Sequence, residues 1–443
     1  MSDSLKVDLY ELTMAAAYLR AGKLPQATFE LFVRRMPKDR GYLIFAGLEQ
    51  ALEYLSEFCF DPEDLDYLRT LPALADVDPV FFTVLQNLRF TGDVWAVPEG
   101  TPVFANQPLL RITAPLIQAQ VLETCLLAGV GFQTLVATKA ARVVRAARGR
   151  PVVDFGSRRA HGPDAGVLAA RAAFIGGCRA SSNLEAGKRF GLQVAGTMAH
   201  SFVMAFGSEA TAFRRYLESF PRNTTLLVDT YDTLAGAKQA AGMGPGVGAI
   251  RLDSGNLLDL SRRARRLLDR AGRKDVKIFA SGDLDEYRIE KLIEHRAPID
   301  AFGVGTAMVT SADAPSLDVV YKVVETVEPD GSRTYPFKLS SDKSTRPGAK
   351  QVFRRRGKRG NLLGDVVGLA QETRPGEEPL LEKVMANGIR VSPRPSLEDI
   401  RSRAQERLSR LPPRVLRQRQ PAAYPVKTSS AVERLFAQSG GRP

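Results

Sequence analysis

Residues 249–283, AIRLDSGNLLDLSRRARRLLDRAGRKDVKIFASGD, hold one complete strand–helix–strand unit. A short apolar strand, 249–252, runs into Asp253-Ser254-Gly255. The helix that follows sets Leu257, Leu260, Ala264, Leu267 and Leu268 on one stripe and stops near Gly272, a residue suited to the turn beyond a helix end. A second strand, 276–280, then runs into Ser281-Gly282-Asp283. The Arg262-Arg263-Ala264-Arg265-Arg266 run falls on the wet face of the helix. Strands joined through a helix run parallel, because the crossover returns the chain to the starting edge.

The same rhythm extends in both directions. Short apolar strands at 151–154, 194–196, 225–229, 299–304 and 319–325 each end in small or polar residues. About seven parallel strands predict an α/β fold with an irregular (β/α) barrel, closed or nearly closed, over residues 115–328. Residues 1–114 mix short helices with strands at 27–33 and 90–100, as an α/β sandwich domain would. A helix begins at Pro115 and buries Ile117, Val121, Cys125 and Leu126. Past residue 325 the pattern turns to hairpins, with turns at 328–332 and 356–360, so 329–443 returns to complete the first domain. An amphipathic helix at 397–411 ends at Pro412-Pro413, and no repeat of fixed period is visible.

Bulk properties narrow the classes. A chain of 443 residues is too long for one ordinary core. No basic-then-apolar leader opens it, and its longest uncharged apolar stretch, 124–138, is shorter than the roughly 18 residues of a spanning helix. Cys59, Cys125 and Cys178 form no CxxC pair, which disfavours zinc sites and disulfides and fits a reducing cytoplasm. The net charge of +13 is uneven: residues 341–443 hold 22 of the 62 basic and 10 of the 49 acidic side chains, so the body is nearly neutral. The run Arg354-Arg355-Arg356-Gly357-Lys358-Arg359 reads as a solvated hairpin tip, not a nucleic-acid site.

Working residues of a parallel barrel gather at the carboxyl ends of its strands. Five such ends carry chemistry: Phe155-Gly156-Ser157-Arg158-Arg159, Thr197-Met198-Ala199-His200-Ser201, Asp253-Ser254-Gly255, Ser281-Gly282-Asp283 and Gly305-Thr306. The Gly282 and Gly305 turns let backbone N–H groups approach a phosphate, and Thr306 adds a hydroxyl. Asp253 suits paired ribose hydroxyls, while Arg158 and Arg251 can hold further anions, at about 1.5–3 kcal/mol per charge-assisted bond. Taken singly, each element has an ordinary structural explanation; Asp-Ser-Gly is often only a helix cap. Of the three histidines, His295 sits in a charged helix and reads as a surface residue, and His161 follows Arg158-Arg159-Ala160. His200 stands at a strand end among small residues, where a hydrogen-bonded structural histidine is the usual finding.

These residues resemble nicotinate phosphoribosyltransferase over nearly the whole chain. The matching segments are Asp8-Leu9-Tyr10-Glu11-Leu12-Thr13-Met14, 27–37, Arg40-Gly41-Tyr42-Leu43, Gly47-Leu48-Glu49, 154–159, Ser182-Asn183, 196–201, 251–255, Ser281-Gly282-Asp283 and 302–306. Two departures are Ser181, where the family usually shows Thr, and Ser157, at a position often larger and apolar. The resemblance implies a type II phosphoribosyltransferase fold, paired as a homodimer with a shared site. It implies conversion of nicotinate and phosphoribosyl pyrophosphate to nicotinate mononucleotide and pyrophosphate, driven by ATP, with Mg2+ on the phosphates. It further implies Tyr10, Thr197 and Arg251 at nicotinate, Thr306 at the sugar phosphate, and a phosphorylated His200. Asp253 and Arg158 join His200 as the expected catalytic groups, and Phe155, Ser201, Ser254, Gly282, Asp283 and Gly305 as further substrate contacts.

Rival readings remain at this level. A nicotinamide enzyme usually places an Asp near the amide, whereas 178–183 contains none; a quinolinate enzyme is much shorter. A sugar-phosphate aldolase or isomerase often needs a strand-end Lys, for which Lys322 is the candidate. A nucleic-acid-binding protein would use the basic tail and bind in a salt-sensitive way.

Overall fold

The computed structural model describes residues 3–338 and 345–440. The chain forms two compact units, one of Met1–Leu135 with Ser316–Pro443 and one of Val136–Pro315.

The first unit is built on a seven-stranded sheet in the order Arg333–Thr334, Val319–Val327, Gln26–Val33, Pro108–Pro115, Asp93–Ala96, Glu382–Ala386, Ile389–Arg390, with every neighbouring pair antiparallel. Gln26–Val33 runs through its core: Phe29 stacks on Tyr321 at 4.8 Å, and the buried Glu30 meets Lys350 Nζ at 2.9 Å. A four-stranded sheet, ordered Glu378–Pro379, Lys350–Arg356, Leu362–Leu369, Val426–Thr428, completes the unit with the tail.

Two expectations change here. Residues 319–325 belong to no barrel; they lie in Val319–Val327 and pair antiparallel with Gln26–Val33. Lys322 therefore sits in this sheet, bonded to Glu123 at 3.2 Å, so the aldolase reading loses its candidate. The 354–359 run does include a hairpin tip, but Arg354 is not solvated. It is 1% exposed in its side chain and forms a two-pronged pair with Asp365 at 3.0 and 2.7 Å.

The stretch Leu116–Ala146 has the length and hydropathy to cross a membrane, yet 67% of its apolar window is buried within the protein. Its helix, Glu123–Ala146, ends in the second unit, where Lys139 and Arg142 are buried in ion pairs.

The second unit carries a half-barrel of six parallel strands, ordered Ala180–Ser181, Val152–Asp154, Ala301–Val304, Lys277–Ala280, Val247–Leu252, Thr224–Leu227. Among the described residues the two outer strands do not pair, so the sheet stays open. The segment 194–196 supplies only a single bridge, Val194 to Ser181. The register brings Asp154 beside Val304, and Ala280 beside Leu252, so the strand ends fall on one rim. Leu257–Arg270 packs on that sheet through the fully buried Ala264 and Leu268.

Candidate active site

The rim is organised around Arg251. Along Val247–Leu252, Ile250 and Leu252 turn into the core, which sends the intervening Arg251 to the opposite face. Its Nε donates to Ser281 Oγ at 2.7 Å, one terminal nitrogen to Thr197 Oγ1 at 2.8 Å, and the other to Asp253 Oδ1 at 2.6 Å. The guanidinium lies 5.4 Å from the Phe155 ring. Phe155 in turn meets Phe279 at 5.6 Å. Gly303 makes that pairing possible, because a Cβ there would stand 2.7 Å from the Phe155 ring.

Asp253 is the second hub. Ser281 Oγ donates to its Oδ1 at 2.5 Å. Burial pushes its carboxyl pKa up, but the bonds from Ser281 and Arg251 and the charges of Arg251 and His200 outweigh that and hold it below the usual value. Its backbone N–H and the Ser254 hydroxyl both donate to Asp229 Oδ2, at 2.8 and 2.7 Å. The other Asp229 oxygen is buried without a hydrogen-bond partner.

His200 opens the short helix His200–Ala205, with Nδ1 3.1 Å from Thr230 Oγ1 and Nε2 3.9 Å from Asp253 Oδ2. Thr230 is steadied from behind: the buried Glu209 accepts its backbone N–H at 3.3 Å. Desolvation raises the pKa of Glu209 and also that of Asp154, which accepts from Ser181 at 2.7 Å and from Gly156 at 2.9 Å.

Gly282 has φ +88°, and a Cβ there would lie 1.7 Å from the Asp253 carbonyl oxygen. Asp283 follows at φ 46°, its carbonyl accepting from Arg288 at 2.7 Å. A cavity of about 510 Å³ runs from Asp253, Ser254, Gly282 and Asp283 to Arg288 and Lys291. Gly305 lies against the Phe155 carbonyl, and Thr306 is exposed just beyond it.

Of the residues expected from sequence, Phe155, Thr197, His200, Arg251, Asp253, Ser254, Gly282 and Asp283 form this connected group, with Gly305 and Thr306 on the next strand end. Ser201 and Arg158 are exposed on the same unit, outside the Arg251 network. Tyr10 belongs to the other unit, where burial, Glu123, Glu11 and Asp8 raise its phenol pKa. His161 and His295 are exposed. Asp229, Thr230 and Glu209 were not singled out from sequence, and Ser281 was marked only as part of the Ser281-Gly282-Asp283 strand end. Asp229 was within reach, as one more acid at the end of a strand; Glu209 looks like any first-turn helix acid.

Carboxylates, arginines and glycine turns on one rim of a parallel half-barrel define an enzyme that handles anionic, phosphorylated ligands. Residues 5–131 match the family described as nicotinate phosphoribosyltransferase (NAPRTase) N-terminal domain. Residues 136–320 match quinolinate phosphoribosyl transferase, C-terminal domain, and 376–436 match the NAPRTase C-terminal domain. A nicotinate phosphoribosyltransferase of Mycobacterium tuberculosis is 46% identical over 97% of this chain and 92% of its own length. One of Bacillus subtilis is 41% identical over 96% and 93%. The human nicotinic acid phosphoribosyltransferase structure superposes with TM-score 0.85 at 31% identity, covering 97% of this chain and 99% of that one. The chain belongs to the nicotinate phosphoribosyltransferase family.

Proposed function

We propose that the chain transfers a phosphoribosyl group from phosphoribosyl pyrophosphate to nicotinate, giving nicotinate mononucleotide and pyrophosphate, in the salvage of NAD. The observation that carries this reading is the Arg251–Phe155 pair. A guanidinium has five N–H donors, and the bonds of Arg251 to Ser281, Thr197 and Asp253, with a longer one to the Met198 carbonyl at 3.5 Å, leave a donor for a carboxylate beside a flat aromatic wall. Nicotinate presents that combination, a ring and a carboxylate. Its ring nitrogen attacks the anomeric carbon as the carbon–oxygen bond to pyrophosphate breaks, and the electron pair leaves with pyrophosphate. Asp253, held ionised, faces the positive charge that develops on the sugar, and the Gly282 and Gly305 turns bind phosphate.

ATP hydrolysis is coupled through His200. With Nδ1 engaged by Thr230, Nε2 is the nitrogen left to accept the terminal phosphoryl group: the P–N bond forms as the β–γ bridge breaks and ADP departs. Water later releases phosphate. Magnesium fits the donor set, because Asp229 keeps an unbonded buried oxygen and Asp253 lies beside it. No trio of His, Cys, Asp or Glu suited to an all-protein cage occurs among the described residues. Bound there with the phosphates, it would neutralise the departing pyrophosphate. A cytoplasmic homodimer, in which Tyr10 of one protomer serves its partner's site, completes the proposal; no nucleic acid or membrane is needed.

The test offers nicotinate, nicotinamide and quinolinate in turn with phosphoribosyl pyrophosphate, magnesium and ATP. Mononucleotide should form from nicotinate, with ADP released alongside it. Preferential use of either other base would reject the reading.

A further inference from the structure

Downstream of the Gly282 and Gly305 turns an ionic bridge forms, buried at Lys139 and Glu286 and partly exposed at Asp313. Lys139 reaches from the Glu123–Ala146 helix, placing Nζ 2.6 Å from Glu286 Oε2 and 2.6 Å from Asp313 Oδ1. Arg142, a helical turn further, donates to Glu286 Oε1 at 2.8 Å and to the Tyr287 hydroxyl at 3.0 Å. The Lys139 and Glu286 side chains are 2% and 0% exposed.

Each carboxylate lies just downstream of one turn. Glu286 opens the Glu286–Glu294 helix, shortly after Gly282-Asp283. Asp313 follows the Thr306–Val309 helix, tied back to it by the Ser311 and Ala312 N–H groups bonding to Met308 and Ala307. The strands that lead into the two turns, Lys277–Ala280 and Ala301–Val304, are paired neighbours. One ammonium therefore links the segments that follow two adjacent turns. Charges withdrawn from water hold their partners tightly, because separating them leaves a buried ion uncompensated. An exposed pair would exert no such control.

We propose that Lys139 is a positioning residue, fixing the separation of the Gly282–Asp283 and Gly305–Thr306 turns and so the affinity for phosphoribosyl pyrophosphate. The inference rests on the phosphoribosyl reading of those turns. Nicotinate should be spared, since its proposed contacts at Phe155, Thr197 and Arg251 do not touch the bridge.

The experiment measures KM for each substrate, with melting curves, for the full chain and for Lys139→Met, Asp313→Asn and the double variant. Lys139→Met should raise KM for phosphoribosyl pyrophosphate about tenfold or more while leaving that for nicotinate within about threefold. Asp313→Asn should move it the same way by less, and the double variant should be no worse than Lys139→Met alone. Should Lys139→Met fail to fold, Asp313→Asn, whose aspartate is partly exposed, carries the comparison. Folded variants with unshifted KM, or with both KM values raised equally, overturn the proposal. A wild-type chain inactive with phosphoribosyl pyrophosphate would instead defeat the functional reading and this proposal with it.

Discussion

Gly282 has no room for a side chain: both its positive φ and the Asp253 carbonyl 1.7 Å from an ideal Cβ exclude one. Gly282→Ala must open the turn, and a displacement near 1 Å at a phosphate contact can cost about 100-fold in rate. We expect that loss in kcat/KM for phosphoribosyl pyrophosphate; a variant within threefold of wild type would contradict the assignment of the turn. Asp253 gives a pH prediction. Its folded-state pKa is depressed, so its contribution to stability is present above the unfolded aspartate value near 3.9 and is lost as pH falls through the lower folded value. Urea melts should show a stability gap between wild type and Asp253→Asn that is flat above about pH 5 and shrinks below about pH 4. A gap that widens on acidification would be inconsistent with this. Asp253 and Gly282 were legible in the sequence because an acid or a glycine directly after an apolar strand marks a rim. Thr230 and Glu209 were not, since their roles come from a turn that folds them behind His200.

Among the elements, the parallel strands at 249–252, 276–280 and 299–304 were read nearly to the residue, because each is short, apolar and followed by its own helix. Val319–Val327 was misplaced for a physical reason. Its residues suit any half-buried strand, and its direction is set by Gln26–Val33, nearly three hundred positions earlier, which no local pattern reports. The Lys350–Arg356 and Leu362–Leu369 hairpin was expected, but its buried pair was not, as nothing in a run of arginines says which one faces inward. Asp365 there accepts from Arg354, from Gln107 at 2.7 Å and from the Tyr424 hydroxyl at 3.0 Å. Arg354→Met alone should cost about 3–5 kcal/mol in denaturant melts, by stranding a buried carboxylate. Arg354→Met with Asp365→Leu should cost less than the sum of the two single changes; simple additivity would deny the coupling.

Over the whole molecule, several arginines of the basic tail pair with acids of their own unit. Arg390 pairs with Glu49, Arg356 and Arg407 with Glu378, and Arg346 with Glu433. The proposed shared site is a whole-molecule property too. Mixing Tyr10→Ala with His200→Asn protomers should restore about a quarter of wild-type activity, since half of randomly paired dimers are hybrids with one intact site each. No recovery in a mixture shown to exchange subunits would count against sharing. The chain path itself has a temporal consequence. The first unit is interrupted at Leu135 and resumes at Ser316, yet Gln26–Val33 needs Val319–Val327 as its neighbour. On the ribosome, at 5–20 residues per second, that strand edge waits roughly 15–60 s for its partner to emerge. During that interval the 136–315 segment is made and can fold first, while the nascent sheet of the first unit stays unfinished and exposed to mispairing. The two crossing points lie close together, for a Cβ at Gly131 would come 3.2 Å from Val319. The late strand thus re-enters the first unit close to where the chain left it, so what it lacks is time and not proximity.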